Sequence, residues 1–88
     1  EIVAEHFQKT PQQLISKSRS SDIVRPRQIA MYLCKNMTGT SLAGIGEVLG
    51  GRDHSTIIHG IEKIEAEYQT NESTQNLIET IRKKINPN

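Results

Sequence analysis

The stretch Gly50-Gly51-Arg52-Asp53-His54-Ser55-Thr56-Ile57-Ile58-His59 decides the fold. Two glycines end one apolar segment, and a run of hydrogen-bonding side chains precedes the next. Glycine reaches positive φ without steric penalty, so the pair marks a tight turn. Aspartate is among the best helix N-caps, which places the start of a helix near Asp53. Arg52, Asp53, His54, Ser55 and Thr56 then stand at the exposed N-terminus of a helix, directly after a turn. A helix lying in the DNA major groove reads bases with its N-terminal residues. Side chains of these types bond to base edges or to phosphate oxygens. The Asp53 carboxylate has two competing tasks, capping the helix and accepting from a cytosine amino group, and one carboxylate can divide them.

Outward from this stretch the chain reads as helix almost throughout. Apolar residues recur at helical spacing, and Val, Ile and Thr never alternate long enough for a strand. Glu1 to Gln8 predicts a helix carrying Val3 and Phe7. Thr10-Pro11 reads as an N-cap with proline in the first turn, opening a short helix through Leu14 and Ile15. Ser16 to Val24 is polar and basic, without a helical period, and reads as a loop. Pro26 is expected near the start of the next helix, which runs to Met37 or Thr38 with Ile29, Leu33 and Met37 on one stripe. Thr40 or Ser41 caps a helix that buries Leu42, Ile45, Val48 and Leu49. The helix from Asp53 is expected to turn Ile57, Ile58, Ile61, Ile64 and Tyr68 inward. Glu72 to Ile85 reads as a last amphipathic helix burying Leu77, Ile78, Ile81 and Ile85. About six short helices result, an all-α domain in which residues 41–68 form a helix–turn–helix.

The length of 88 residues allows a single domain. The chain begins with Glu1 rather than Met, which leads to the expectation of a fragment of a longer protein. No apolar run approaches the roughly 18 residues that span a bilayer, and no signal-peptide pattern is present. A lone cysteine, Cys34, excludes an internal disulfide framework and fits a reducing compartment. The net charge is only +1, yet residues 17–35 hold Lys17, Arg19, Arg25, Arg27 and Lys35 against Asp22 alone, a local +4. A local basic patch is the footprint that matters for nucleic acid.

Catalytic and metal readings of the same residues fail on geometry. Asp53, His54 and Ser55 are consecutive, so on a helix they point about 100° apart and cannot relay a proton. His54 and His59 are five apart, off the i, i+4 spacing that converges on a metal. Cys34 and His6 add no ligand spacing, and no GxxxxGK[ST] loop occurs. The domain is expected to be no enzyme, and no cofactor is expected within it.

Two stretches, Arg25-Pro26-Arg27-Gln28-Ile29-Ala30-Met31-Tyr32-Leu33 and Gly50 to Thr56, resemble the C-terminal DNA-binding domain (domain IV) of the bacterial replication initiator DnaA. The loop Ser16 to Ser21 and the segment Ser41 to Gly46 extend the resemblance over nearly the whole chain. It implies a Trp-repressor-like helix–turn–helix that binds the DnaA box, an asymmetric A/T-rich element resembling TTATNCACA. By the same resemblance Asp53, His54 and Ser55 meet bases in the major groove, with Leu42 and Ala43 touching it from the preceding helix. Arg19 matches an arginine that enters the adjacent minor groove. Arg25, Arg27, Gln28, Lys35, Arg52, Thr56, His59 and Lys63 match backbone-contacting positions. Ser55 stands where the family usually has Thr, Ala43 where it has Pro, Gly60 where it has Ala or Ser, and Ser18 where relatives are often basic.

The resemblance further implies a cytoplasmic, nucleoid-associated protein whose ATP is bound by a separate AAA+ domain. It implies duplex DNA as the partner of a monomeric domain, no membrane partner for this fragment, and regulatory proteins as possible partners of the parent. Two other classes remain open at this point. One is a transcription regulator using the same motif. The other is a helical protein-interaction module, which would leave the basic loop and the exposed Asp53-His54-Ser55 unexplained.

Overall fold

The computed structural model describes residues 2–87, and all regular structure among them is helical. The elements are α1 (Ile2–His6), α2 (Pro11–Ile15), α3 (Ser21–Thr38), α4 (Leu42–Val48), α5 (His54–Thr70) and α6 (Glu72–Ile85). The expected count of six holds, and the helix–turn–helix is α4, the glycine turn and α5.

Local chemistry explains most of the boundaries. α1 ends at His6, before the expected Gln8, because Gln8 adopts a left-handed φ of 58° and the chain folds back. The Gln8 N–H then donates to Glu5 O at 3.0 Å and the Lys9 N–H to Ala4 O at 2.8 Å, the paired bonds of a Schellman ending. α2 opens with a full capping box: Gln13 N–H donates to Thr10 Oγ1 at 3.1 Å, and Thr10 N–H to Gln13 Oε1 at 2.7 Å. Ser41 caps α4 by accepting from Gly44 N–H at 3.1 Å, and Asn71 caps α6 by accepting from Thr74 N–H at 3.1 Å.

α3 departs from expectation at its start. It begins at Ser21, so residues 21–24 are helix, and Pro26 lies inside it. The hydrophilic run concealed one apolar anchor: Ile23 is buried, and it fixes the first turn. Pro26 lacks the N–H that would bond Asp22 O, a local loss close enough to the N-terminus for the helix to continue through it.

α3 and α5 pack along each other at the centre. The core joins Ile29, Met31, Tyr32 and Leu33 of α3 to Ile57, Ile61 and Ile64 of α5, with Val3, Ile45, Leu49, Ile78 and Ile81 completing it. Six isoleucines are fully buried, as a chain with no Trp and one Phe requires. Tyr68, expected inward, is only partly buried; its ring stacks on Tyr32 at 6.2 Å and its hydroxyl donates to Glu79 Oε2 at 2.7 Å. Leu77 is likewise half-buried against the core. Val48 (65% exposed) and Ile85 (38%) do not turn inward. With Ile2 and Ile15 they border an apolar groove of about 490 Å³, which explains their hydrophobicity at the surface.

One polar cluster ties three helices. Arg25 of α3 donates from Nη1 to Glu67 Oε1 of α5 at 2.8 Å and from Nη2 to Thr74 Oγ1 of α6 at 3.2 Å. The Thr74 hydroxyl, only 2% exposed as a residue, donates to the same Glu67 oxygen at 3.3 Å. The Arg25 hydrogen bond outweighs partial burial and holds the Glu67 carboxyl below its ordinary value. A depressed carboxyl pKa stabilises the fold at neutral pH, and that contribution is lost as pH falls through the folded value. Glu67→Gln is therefore expected to lower stability at neutral pH by about 0.5–1 kcal/mol, the range for a partly exposed pair. Urea midpoints measured against pH should show the gap to wild type closing below 4.5. A gap independent of pH would show that the Glu67 charge takes no part.

Candidate nucleic-acid interface

The turn between α4 and α5 is built on close backbone contact. Gly51 N–H donates to Gly46 O at 2.7 Å and Arg52 N–H to the same oxygen at 3.2 Å. A Cβ on Gly46 would lie 2.4 Å from the Arg52 carbonyl oxygen, so only glycine lets α4 meet the turn. Gly50 has φ 89°, and a Cβ there would lie 2.6 Å from Ile15 O at the end of α2. The segment that leads into the basic loop is thus in direct contact with the helix–turn–helix turn.

Asp53 caps α5: its Oδ1 accepts from Thr56 N–H at 2.9 Å. That bond keeps the Asp53 carboxyl below its ordinary value, so it is an anion at neutral pH. The Thr56 side chain adds a second, weaker stabilisation of the same carboxylate. His54, Ser55 and Thr56 follow in the first turn of α5, all exposed. Ser55, His59 and Lys63 continue as an i, i+4, i+8 row, also exposed. Ile58, expected to turn inward, is exposed one turn beyond His54. Ala43 faces solvent, whereas Leu42 is half-buried against the core. Gln28 is half-buried where α3 meets α5, with its Cγ 3.3 Å from the place of a Gly60 Cβ.

The arginines are arranged differently from the expectation that all serve as surface contacts. Arg27 is 6% exposed. Its Nε donates to Leu14 O at 2.7 Å, Nη1 to Ser18 O at 3.1 Å and Nη2 to Ser16 O at 2.9 Å. Expected to contact a phosphate, Arg27 instead has a donor of each nitrogen occupied by a backbone carbonyl, one at the end of α2 and two beyond it. Arg52 donates from Nη2 to the same Ser16 oxygen at 2.6 Å and from Nη1 to Leu49 O. Burial, and then the neighbouring Arg52 charge, lowers the Arg27 pKa from its ordinary value. Arg25 is occupied by Glu67 and Thr74. The local +4 therefore shrinks at the surface: Lys17, Arg19 and Lys35 are exposed, and none forms an ion pair among the described residues. One signal in the sequence did point to a buried Arg27, since it sits four residues after Ile23 and four before Met31, in a buried row.

No group of three or more His, Cys, Asp or Glu side chains among the described residues could hold a metal ion. No described helix is long and apolar enough to cross a membrane.

Residues 1–64 match the family of the bacterial DnaA protein helix–turn–helix. The chain belongs to the bacterial DnaA helix–turn–helix family. It is 48% identical over 87 residues to the chromosomal replication initiator protein DnaA of Lachnoclostridium phytofermentans, covering 99% of this chain and 19% of that protein. It is 47% identical over 83 residues to DnaA of Oenococcus oeni, covering 94% and 18%. A crystal structure of a DNA replication initiation factor superposes with a TM-score of 0.85 at 30% identity, over 96% of this chain and 26% of that one. The chain thus spans about a fifth of the length of these DnaA proteins. As a member of the DnaA family it is a DNA-binding helix–turn–helix domain.

The glycine contacts separate two kinds of close approach within this DnaA-type motif. Gly46→Ala pushes a Cβ into backbone and is expected to lower stability by about 1–3 kcal/mol. Gly60→Ala meets the Sδ of Met31 at 2.5 Å and the Cγ of Gln28 at 3.3 Å, both side-chain atoms rather than backbone, so that a rotation of the buried Met31 relieves the closer contact. Alanine also favours helix by about 1 kcal/mol, so Gly60→Ala should stay within about 1 kcal/mol of the parent. Urea unfolding of both variants checks this, and equal losses would mean that the turn yields as readily as Met31.

Proposed function

We propose that this domain binds a DnaA-box duplex, an asymmetric A/T-rich site, as a monomer, and anchors a replication initiator at the origin. The observation that carries the reading is the first turn of α5. Asp53 caps the helix through Oδ1 and is itself exposed, beside exposed His54, Ser55 and Thr56. Inserted in the major groove, the Asp53 carboxylate would accept from a cytosine amino group, while His54 and Ser55 reach neighbouring base edges. Ile58, exposed on the same side as His54, supplies an apolar contact suited to a thymine methyl. Ala43, at the start of α4, borders the same groove, with Leu42 behind it.

Arg19 extends from the loop toward the adjacent minor groove, which in A/T-rich DNA is narrow and strongly negative. Lys35, Lys63, His59, Thr56 and Gln28 approach phosphates, where they position the domain without reading sequence. Arg25 supports that surface from behind through Glu67. No cofactor takes part in this domain, ATP being the ligand of another part of the parent protein. The site of action is the nucleoid in the cytoplasm.

The direct test is a titration against a DnaA-box duplex and a scrambled duplex of equal composition, at two salt concentrations. Preference for the box supports the reading, and equal affinity removes it. Lys35→Ala should weaken both complexes alike and reduce the slope of log K against log salt by about one. A loss confined to the box complex would instead put Lys35 on a base.

His54→Ala should lower affinity for the box by about 1–3 kcal/mol, the value of one base contact. Its melting temperature should hold, since the exposed ring supports no core contact. A destabilised variant with an unchanged box-to-scrambled ratio would remove His54 from base recognition.

A further inference from the structure

We infer that Arg27 and Arg52 are positioning residues for base recognition. Their joint hold on the Ser16 carbonyl fixes the basic loop against the turn, so that Arg19 and the first turn of α5 engage two grooves as one body. This rests on the DnaA-box reading and adds to it the part that sets the geometry.

The contacts form a continuous chain. Arg27 takes the carbonyls of Leu14, Ser16 and Ser18, three points spaced two residues apart along the entry to the loop. Arg52 takes Ser16 O from the other side and Leu49 O at the end of α4. Arg52 immediately precedes Asp53, so the last anchored point of the turn adjoins the residue that caps α5. On the loop side, Ser18 is anchored by its carbonyl, and its hydroxyl lies 3.1 Å from that of Ser20. Ser20 stands at the start of α3 and donates from its hydroxyl to Asp22 Oδ1 at 2.6 Å. Arg19 lies between these two held serines with its own side chain exposed. It lies three positions after Ser16, no more than about 10 Å of chain.

The chemistry requires arginine at both positions. A guanidinium presents donors in a planar fork and can serve two carbonyls at fixed angles, whereas an ammonium is a point charge on a flexible stem. A carbonyl oxygen has two lone pairs, enough for one donor from each arginine. Pre-setting the loop removes ordering that binding would otherwise have to supply, so the benefit appears in recognition.

A phosphate contact would be largely served by lysine, because charge carries it; a fork across two carbonyls would not. The experiment uses this difference. Box affinity is measured for the domain and for Arg52→Lys, Arg19→Ala and the double variant. Each is tested on the box and on a box carrying G·C in place of A·T beneath the loop. We expect Arg52→Lys to reduce the A·T preference by roughly tenfold, the equivalent of one base contact. The double variant should be no worse than Arg19→Ala by more than about twofold, because both act through the same contact.

Full A·T preference in Arg52→Lys overturns the proposal, and so do losses that simply multiply in the double variant. If the parent domain itself does not prefer the box to scrambled DNA, the DnaA-box reading fails, and the proposal with it. Should Arg52→Lys unfold, two glycines inserted between Ser18 and Arg19 decide the matter. That insertion leaves every Arg27 and Arg52 contact in place while it parts Ser18 from Ser20 and frees Arg19. It should abolish the A·T preference while keeping the melting temperature; an insertion variant that retains the preference overturns the proposal.

Discussion

The carbonyl of Ser16 lies between two guanidinium groups, and much of the molecule is arranged around that contact. Arg27 reaches it from α3 and Arg52 from the turn before α5. α3 and the turn before α5 therefore meet the C-cap of α2 at one backbone oxygen. Loop carbonyls shielded from water need donors, and unpaired ones are costly. Here the loop has too little regular structure to satisfy them itself, and two arginines take over. Burial, and then repulsion from the neighbouring Arg52, lowers the Arg27 pKa, yet an arginine remains charged across the physiological range.

Around that contact the helices are short and individually weak. Isolated helices below about 12–15 residues are marginal in water, and α1, α2 and α4 are far shorter. Each of α2, α4, α5 and α6 is opened by a side chain that accepts from its first turn, from Thr10, Ser41, Asp53 and Asn71. The rest of the stability comes from isoleucines packed between α3 and α5. Gly60 lets those two axes come close, and α5 is the long element that carries its first turn out to solvent.

Charge is distributed with equal economy. Three of the five cations in residues 17–35 remain at the surface without an ion pair, while Arg27 is buried and the partly exposed Arg25 pairs with Glu67. A domain with few free cations has a limited salt-dependent attraction to a phosphate backbone. Under the proposed reading, discrimination then falls on base-edge chemistry at Asp53, His54 and Ser55.

The sequence by itself determined the elements whose causes are local. Thr10-Pro11, the Thr40-Ser41 pair and Asp53 mark helix starts because a cap needs only a side chain and the next turn. Gly50-Gly51 marks the turn because positive φ is a property of the residue. The exposed first turn of α5 was legible for the same reason. What only the tertiary structure decided is what each long polar side chain meets. Arg25 and Arg52 look alike in sequence to Arg19 and Lys35, and the i±4 row marks Arg27 as buried but not what it meets; the partners lie on other elements: Glu67 and Thr74, the carbonyls of Leu14, Ser16 and Ser18, and Ser16 again for Arg52. Val48, Ile58 and Ile85 show the same limit for apolar residues. Helical periodicity can give the side of a helix on which a residue lies, but whether another element covers that side depends on residues distant in the chain.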